Sequence, residues 1–323
     1  MRVYHGMEEV PPDFGPSALT IGNFDGVHFG HRQILRRLKA IANENGWKAS
    51  VLTFDPHPTA VVAPDRAPRL MTSPARRVEL MSEEGIEQVL ILPFTRELAL
   101  LSPEDFVRLL LVDRLGARAV LVGDNFRFGH KAAGNVRLLT EAGQRLGFRT
   151  EIVPAVRCRG RIVSSSGIRE MIQAGQVSVA ARLLQHPYAL EGEVVSGRGV
   201  GSKQTVPTLN LQTDSTLIPA RGVYITRTDA LDRDAHWNSI TNIGYRPTFG
   251  ASDQLSIETF LLDPLESEAP ARIRVEFLRR VREERKFDSP ESLRAQILKD
   301  VRVAQTYFRR RKAWTDRVPC TSC

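Results

Sequence analysis

Two histidines three residues apart, His28 and His31, stand inside the run Gly22-Asn23-Phe24-Asp25-Gly26-Val27-His28-Phe29-Gly30-His31. The run joins an apolar stretch, 18–21, to a helical pattern over about 30–45, so its backbone amides and the start of the helix make an anion site. From there two imidazoles can face one phosphate. They would donate hydrogen bonds to charge developing on α-phosphoryl oxygens, which is most of what nucleotidyl transfer demands of a protein. A His-x-x-His pair at a helix start is also read as a surface pair or half of a metal site. The surrounding glycines favour the anion, and no cysteine or carboxylate stands at a spacing that would complete a zinc site.

Other runs follow apolar stretches in the same way. Asp55-Pro56-His57-Pro58 comes after 50–54 and Gly123-Asp124-Asn125-Phe126-Arg127-Phe128-Gly129 after 119–122. Around His57 two prolines stiffen the loop, and a turn held by a local Asp55 hydrogen bond accounts for the residues as well as ligand contact does. Ser164-Ser165-Ser166-Gly167-Ile168-Arg169 sets hydroxyls at a helix start and an arginine one turn later. That is a second phosphate cradle with a bidentate cation, or a plain serine cap beside a solvated arginine. Gly197-Arg198-Gly199-Val200-Gly201-Ser202-Lys203 lacks the ending of a Walker loop, which leaves a backbone phosphate turn or an ordinary barrel turn.

These runs need elements that bring them side by side. Between Ser17 and Pro154 the apolar stretches 18–21, 50–54, 89–92, 119–122 and 150–153 alternate with helical patterns. Ser73-Pro74 and Ser102-Pro103 supply capping hydroxyls before proline, while Gly46, Gly85, Gly116 and Gly147 stand where left-handed C-terminal residues belong. Strands apolar throughout predict a parallel sheet covered on both faces, and such a sheet binds ligands beyond the carboxyl ends of its strands. Two short helices, about 165–174 and 179–184, lead to His186-Pro187, and the domain boundary is placed near residue 186. Beyond it, 191–195, 222–226, 239–243, 255–260 and 272–277 alternate as in a small antiparallel barrel. Ser289-Pro290 caps a closing helix with an apolar stripe of Leu293, Ile297, Val301, Ala304 and Phe308.

A chain of 323 residues is long enough for two cores, and 42% hydrophobic with 25% charged residues lets each half bury one without disulfides. The three cysteines, Cys158, Cys320 and Cys323, make no framework, and Cys320-x-x-Cys323 is at most half a metal site. Residues 1–12 hold acids and prolines without an apolar run, and no stretch of roughly 18 uncharged apolar residues occurs, so a cytoplasmic protein without a membrane span is expected. A net charge of +8 suits a nucleic-acid binder or an enzyme that collects phosphate esters, and Arg309-Arg310-Arg311-Lys312 carries much of the excess as a cationic helix end.

The histidine run resembles the signature of the adenylyltransferase module of bacterial bifunctional riboflavin kinase/FMN adenylyltransferases. Thr53-Phe54-Asp55-Pro56-His57-Pro58, the Gly123 to Gly129 run and the Ser164 to Arg169 run resemble that module's later blocks. Pro207-Thr208-Leu209-Asn210, Gly222-Val223-Tyr224, Asn242-Ile243-Gly244-Tyr245-Arg246-Pro247-Thr248 and Glu258 resemble the riboflavin kinase module. The likeness covers about residues 15–310. It departs at Thr205-Val206, where the family has glycine and an aromatic, at Phe260 in place of a histidine, and at Pro264.

The resemblance implies an α/β chain, with a Rossmann-like adenylyltransferase domain over 1–186 and an antiparallel β-barrel kinase domain closed by a helix over 187–323. It assigns His28 and His31 to ATP phosphates, with Gly22, Asn23, Phe24, Asp25, Gly26 and His57 around them. Asn125 falls on the nucleotide or flavin phosphate, and Ser164, Ser165 and Arg169 on the triphosphate. In the kinase it implies ATP binding by Gly197, Gly199, Gly201, Pro207, Thr208 and Asn210, Mg²⁺ on Thr208 and Asn210, and Glu258 as general base. Hard oxygen ligands suit magnesium, and a carboxylate suits a primary hydroxyl attacking the γ-phosphorus, although alternation alone would make Glu258 an exposed strand residue. Substrates would be riboflavin, FMN and ATP, with FMN and FAD as products. No nucleic-acid or membrane partner is expected, and a weak homo-oligomer is left open. The rival readings are a nucleotidyltransferase with another acceptor, one for FMN alone with an impaired kinase half, and a basic nucleic-acid binder.

Overall fold

The computed structural model describes residues 1–158, 160–195, 208–248, 251–266 and 268–315. They divide into two compact units, Met1–Ser165 and Ser166–Cys323.

In the first unit, β1 (Arg2–His5), β2 (Ser17–Ile21), β3 (Lys48–Asp55), β4 (Gln88–Pro93), β5 (Ala117–Gly123) and β6 (Arg149–Val153) form one sheet in the order β1-β4-β3-β2-β5-β6. All its pairings are parallel. Successive side chains alternate between two cores. Leu52, Leu90, Leu92, Val120 and Val122 meet the helical segment Phe106–Arg114 and α4 (Val136–Leu146) on one face. Val51, Val89, Ile91 and Leu121 meet α1 (Phe29–Asn45) and α3 (Pro74–Glu83) on the other; a shorter α2 (Pro58–Val62) lies between β3 and α3 in the chain. Ser73 accepts from the Arg76 amide at 3.2 Å and Ser102 from that of Asp105 at 3.0 Å, while Gly46 and Gly147 close α1 and α4 at φ 68° and 80°. The chain runs from β2 outward to β3 and β4, then returns to β5 on the other side of β2. That reversal opens a crevice at the carboxyl ends of β2 and β5.

β1 departs from expectation, since residues 1–12 show no apolar run. Its stabilisation comes from pairing with the open edge of β4, and only Val3 and Tyr4 pack on the cores.

The second unit contains α5 (Ser165–Gln173), which begins on the last residue of the first, α6 (Val177–Leu184) and a closed barrel. The barrel strands are β7 (Tyr188–Val195), β8 (Thr208–Gln212), β9 (Gly222–Ala230), β10 (His236–Thr248), β11 (Ala251–Leu261) and β12 (Arg272–Arg282), closed in the order β7-β8-β11-β10-β9-β12. All six pairings are antiparallel. Inside, the hydroxyls of Thr226, Thr228, Ser239, Thr241 and Thr259 bond to one another at 2.8 to 3.0 Å, which satisfies polar atoms that burial would otherwise penalise.

β8 is a strand where sequence showed only a motif; the edges of β7 and β11 accept it and the barrel closes. On the outside, Val301, Ala304 and Phe308 of α7 (Pro290–Thr315) pack on Val223, Ile225, Ile240 and Leu278. Leu293, expected in that stripe, is 42% exposed. Buried Asp300 is clasped by Arg282 at 2.8 and 2.9 Å and by the Gln296 amide at 2.7 Å, which ties α7 to β12.

Candidate active sites

The turn after β2 is held by its own bonds. Phe24 (φ 49°) and Val27 (φ 37°) both adopt positive φ, a strained choice for a β-branched residue that its surroundings must maintain. Phe24 is buried in the core beneath α1, and the Asp25 carboxylate accepts from the amides of Met71 and Thr72 at 2.9 and 3.1 Å and from the Thr72 hydroxyl at 3.2 Å. The Gly26 amide donates to Thr72 Oγ1 at 3.0 Å and that of Gly22 to Leu52 O at 3.1 Å. Of the residues expected around the phosphates, then, Phe24 and the Asp25 side chain anchor the turn, and the amides of Gly22 and Gly26 are engaged within it.

What this turn carries is the histidine pair. His28 is the N-cap of α1: its Nδ1 accepts from the His31 amide at 3.3 Å, so the neutral ring bears its proton on Nε2. The two imidazoles stack with centroids 3.7 Å apart and planes 9° from parallel, and Phe24 lies 5.0 Å from the His31 ring. Gly30 makes room for this, because a β-carbon there would stand 3.2 Å from His28 Cε1.

His57 meets the same turn. Its Nδ1 accepts from the Thr59 amide at 3.2 Å, capping α2, and its Nε2 lies 2.9 Å from the Asn23 amide group. The contact between Asn23 Nδ2 and His57 Nε2 ties the cap of α2 to the histidine turn. Ser165 Oγ donates to Asp25 O at 3.4 Å, which ties the first residue of α5 to the histidine turn; Arg169 lies one turn further along α5, in the second unit. Asn125 is exposed just past β5, across the crevice opened by the strand reversal.

Arg77, absent from the sequence expectations, sits under all of this. Only 4% exposed, it donates to Asn23 O at 2.9 Å and to Thr53 Oγ1 and Phe54 O at 3.3 Å, joining the ends of β2 and β3. Burial lowers its pKa, and the charges of Asp25 and Asp55 oppose that shift. In sequence it is one arginine on an amphipathic helix.

In the barrel, register assembles a second group. Asn210 on β8 pairs with Glu258 on β11, and Glu258 pairs with Asn242 on β10. Directly paired residues point the same way, so the three side chains form one row on the outer face, with Leu209, Ile257 and Ile243 turned into the interior. Thr208 is paired with Phe260 one step along, and the Ser256 hydroxyl donates to Glu258 at 3.0 Å. Gly197, Gly199, Gly201 and Pro207 lie outside the described residues, as do Thr205-Val206 and Cys320 and Cys323. A cavity of about 690 Å³ lined by Arg227, His236, Asn238, Asp263 and Phe308 opens further along the same face. Asn238 is four residues from Asn242, about 13 Å along a strand.

A parallel sheet with stacked histidines at its reversal point, followed by a barrel carrying a carboxylate between two amides, is the arrangement of two ATP-using transferase modules on one chain. Comparison with known proteins agrees. A family model for FAD synthetase matches residues 11–167 and one for riboflavin kinase matches 184–308. A bifunctional riboflavin kinase/FMN adenylyltransferase from Pseudomonas fluorescens is 36% identical over 94% of this chain and 97% of its own, and one from Bacillus subtilis is 31% identical over 95% and 98%. Among solved structures, one titled a macrolide-efflux protein from Streptococcus pneumoniae superposes with a TM-score of 0.83 at 26% identity, over 94% of this chain and 99% of that one. The chain belongs to the bifunctional riboflavin kinase/FMN adenylyltransferase family: it phosphorylates riboflavin to FMN with ATP and adenylylates FMN to FAD with a second ATP, releasing pyrophosphate. Both halves match, so neither the rival with an impaired kinase half nor the nucleic-acid binder is favoured. No helix among the described residues is long and apolar enough to cross a membrane.

Proposed function

We propose that His28 and His31 carry adenylyl transfer in a half spanning 1–186 and that Glu258 carries phosphoryl transfer in a half spanning 187–323. In the first, His28 Nε2–H and the His31 ring donate to the α-phosphoryl oxygens of ATP as a phosphate oxygen of FMN attacks and pyrophosphate departs. The first turn of α1, Asn125, Ser164, Ser165 and Arg169 hold the phosphates, while Asn23 and His57 keep the turn in place. In the second, Glu258 takes the proton of the ribityl 5′-hydroxyl as its oxygen attacks the γ-phosphorus. Thr208 and Asn210, two apart on β8, offer a hydroxyl and an amide oxygen on one side, a hard donor pair that fits Mg²⁺. Bound there, the ion would offset the charge of the triphosphate. Gly197, Gly199, Gly201 and Pro207 would close over that ATP. Work on small cytosolic metabolites implies a cytoplasmic protein, with no nucleic-acid partner and at most weak self-association.

The observation that carries this division is the register that sets Glu258 beside Asn210 on the barrel, in a unit separate from the histidine turn. His28→Ala should abolish FAD formation and spare FMN formation, and Glu258→Ala should do the reverse when FMN is supplied. Chromatography of the flavins after incubation with MgATP reads both. Either variant, well folded, stopping both reactions would overturn the assignment.

A further inference from the structure

Asn242 and Glu284 have no part in the reaction as described, yet Asn242 stands beside its base and Glu284 lies over Gly244, two residues along the same strand. Asn242 flanks Glu258 on the side away from Asn210. Two residues along β10, and therefore on the same face, Gly244 has no side chain, and the Glu284 carboxylate fills that place. A β-carbon at Gly244 would collide with Glu284 Oε1, would stand 2.9 Å from Glu284 Cδ, and would lie 3.4 Å from Asn242 Nδ2. The bare backbone of Gly244 thus seats a second carboxylate next to the amide of Asn242, although Glu284 comes from the segment beyond β12.

We infer that Asn242 and Glu284 bind the secondary hydroxyls of the ribityl chain and so select a polyol-bearing flavin as the kinase substrate. This rests on the reading of Glu258 as base and of Thr208 and Asn210 as the nucleotide side. In-line transfer places donor and acceptor on opposite sides of the γ-phosphorus, with the base touching the acceptor. With the triphosphate toward β8, the acceptor must approach from β10. The side chains offered there are an amide, which both donates and accepts, and a carboxylate, which accepts. Together they complement a row of hydroxyls, whereas a site for a bare alkyl chain would be lined with apolar groups. A site built to bond a hydroxyl rejects an analogue lacking it, because its own polar groups are left unpaired.

The test uses the full chain and two substrates: riboflavin, and a flavin whose N10 side chain is a 5-hydroxypentyl group, which keeps the reacting hydroxyl and lacks the others. Wild type should prefer riboflavin in kcat/KM. In Asn242→Ala and in Glu284→Gln the KM for riboflavin should rise on the order of tenfold, the size of one lost hydrogen bond, with the KM for ATP unmoved. The preference over the analogue should shrink by the same factor. Gly244→Ala, by displacing Glu284, should reproduce the Glu284→Gln pattern and add nothing to it in the double variant. Kinase turnover retained at saturating riboflavin, together with a cooperative thermal unfolding transition like that of wild type, reports that the barrel is folded. Equal losses on both substrates, or a rise in the KM for ATP, would overturn the inference. Should Glu258→Ala retain the kinase rate, the underlying assignment of the base fails first; should it abolish the rate while the substrate preference of the Asn242 and Glu284 variants stays at the wild-type value, only the role given to that pair fails.

Discussion

Replacing Gly30 with alanine should slow FAD formation while leaving the fold about as stable as before. A β-carbon there stands 3.2 Å from His28 Cε1 and 3.3 Å from His28 Nδ1, inside the 3.5 to 4.0 Å at which carbon contacts are comfortable. The imidazole must therefore yield by a few tenths of an ångström. Gly30 is the second residue of α1 and has no positive φ, so alanine is allowed and helix propensity favours it by up to about 1 kcal/mol. Against that stands the cap from the His31 amide to His28 Nδ1, already 3.3 Å long, whose loss costs about 1 kcal/mol. The two nearly cancel in stability. They do not cancel in rate: a 1 Å misplacement near the chemistry costs about a hundredfold, and a third of that displacement on a logarithmic scale is on the order of fivefold. Turnover of FMN to FAD should fall by that factor, with FMN formation from riboflavin unchanged and the thermal unfolding midpoint close to wild type. Unchanged FAD formation would refute the idea that the position of His28 matters to transfer, and a parallel fall in both activities would trace the effect to the fold instead.

Arg77→Ala removes a buried guanidinium from three acceptors at the ends of β2 and β3 and should cost the first unit about 3 kcal/mol in denaturant unfolding, with FAD formation falling too; a smaller loss than 1 kcal/mol would mean that the freed carbonyls find other donors. Tyr224, buried in the barrel wall and bonded to Ala220 O, has its phenol pushed up to about 12 by burial, against the opposing effect of Arg280. The folded form then holds a proton that the unfolded form loses near 10, so the stability this group contributes is full below pH 10 and is lost between about pH 10 and 12, by up to about 2.7 kcal/mol. Unfolding midpoints across that range should drop for the native chain and drop less for Tyr224→Phe; identical slopes would refute the burial argument.

Much of the first unit was legible because its signals are local. The serine and proline caps of α3 and the left-handed glycines closing α1 and α4 depend on bonds within a few residues, and the uniformly apolar stretches already implied strands covered on both faces. The histidine run was legible as chemistry for the same reason, since an N-cap and its first turn are set by neighbours. β1 and β8 were not, because each is stabilised by a distant open edge and not by its own pattern.

The sequence by itself determined the residue types available, the helix ends and the alternation that turns Glu258 out of the barrel. Only the tertiary structure decided what faces what. It set Ser165 on Asp25 across 140 residues, buried Arg77 under the turn that presents His28, and placed Glu258 between Asn210 and Asn242 with Glu284 over Gly244. Strand register and burial come from bonds between segments far apart in the chain, and no window of neighbouring residues contains them.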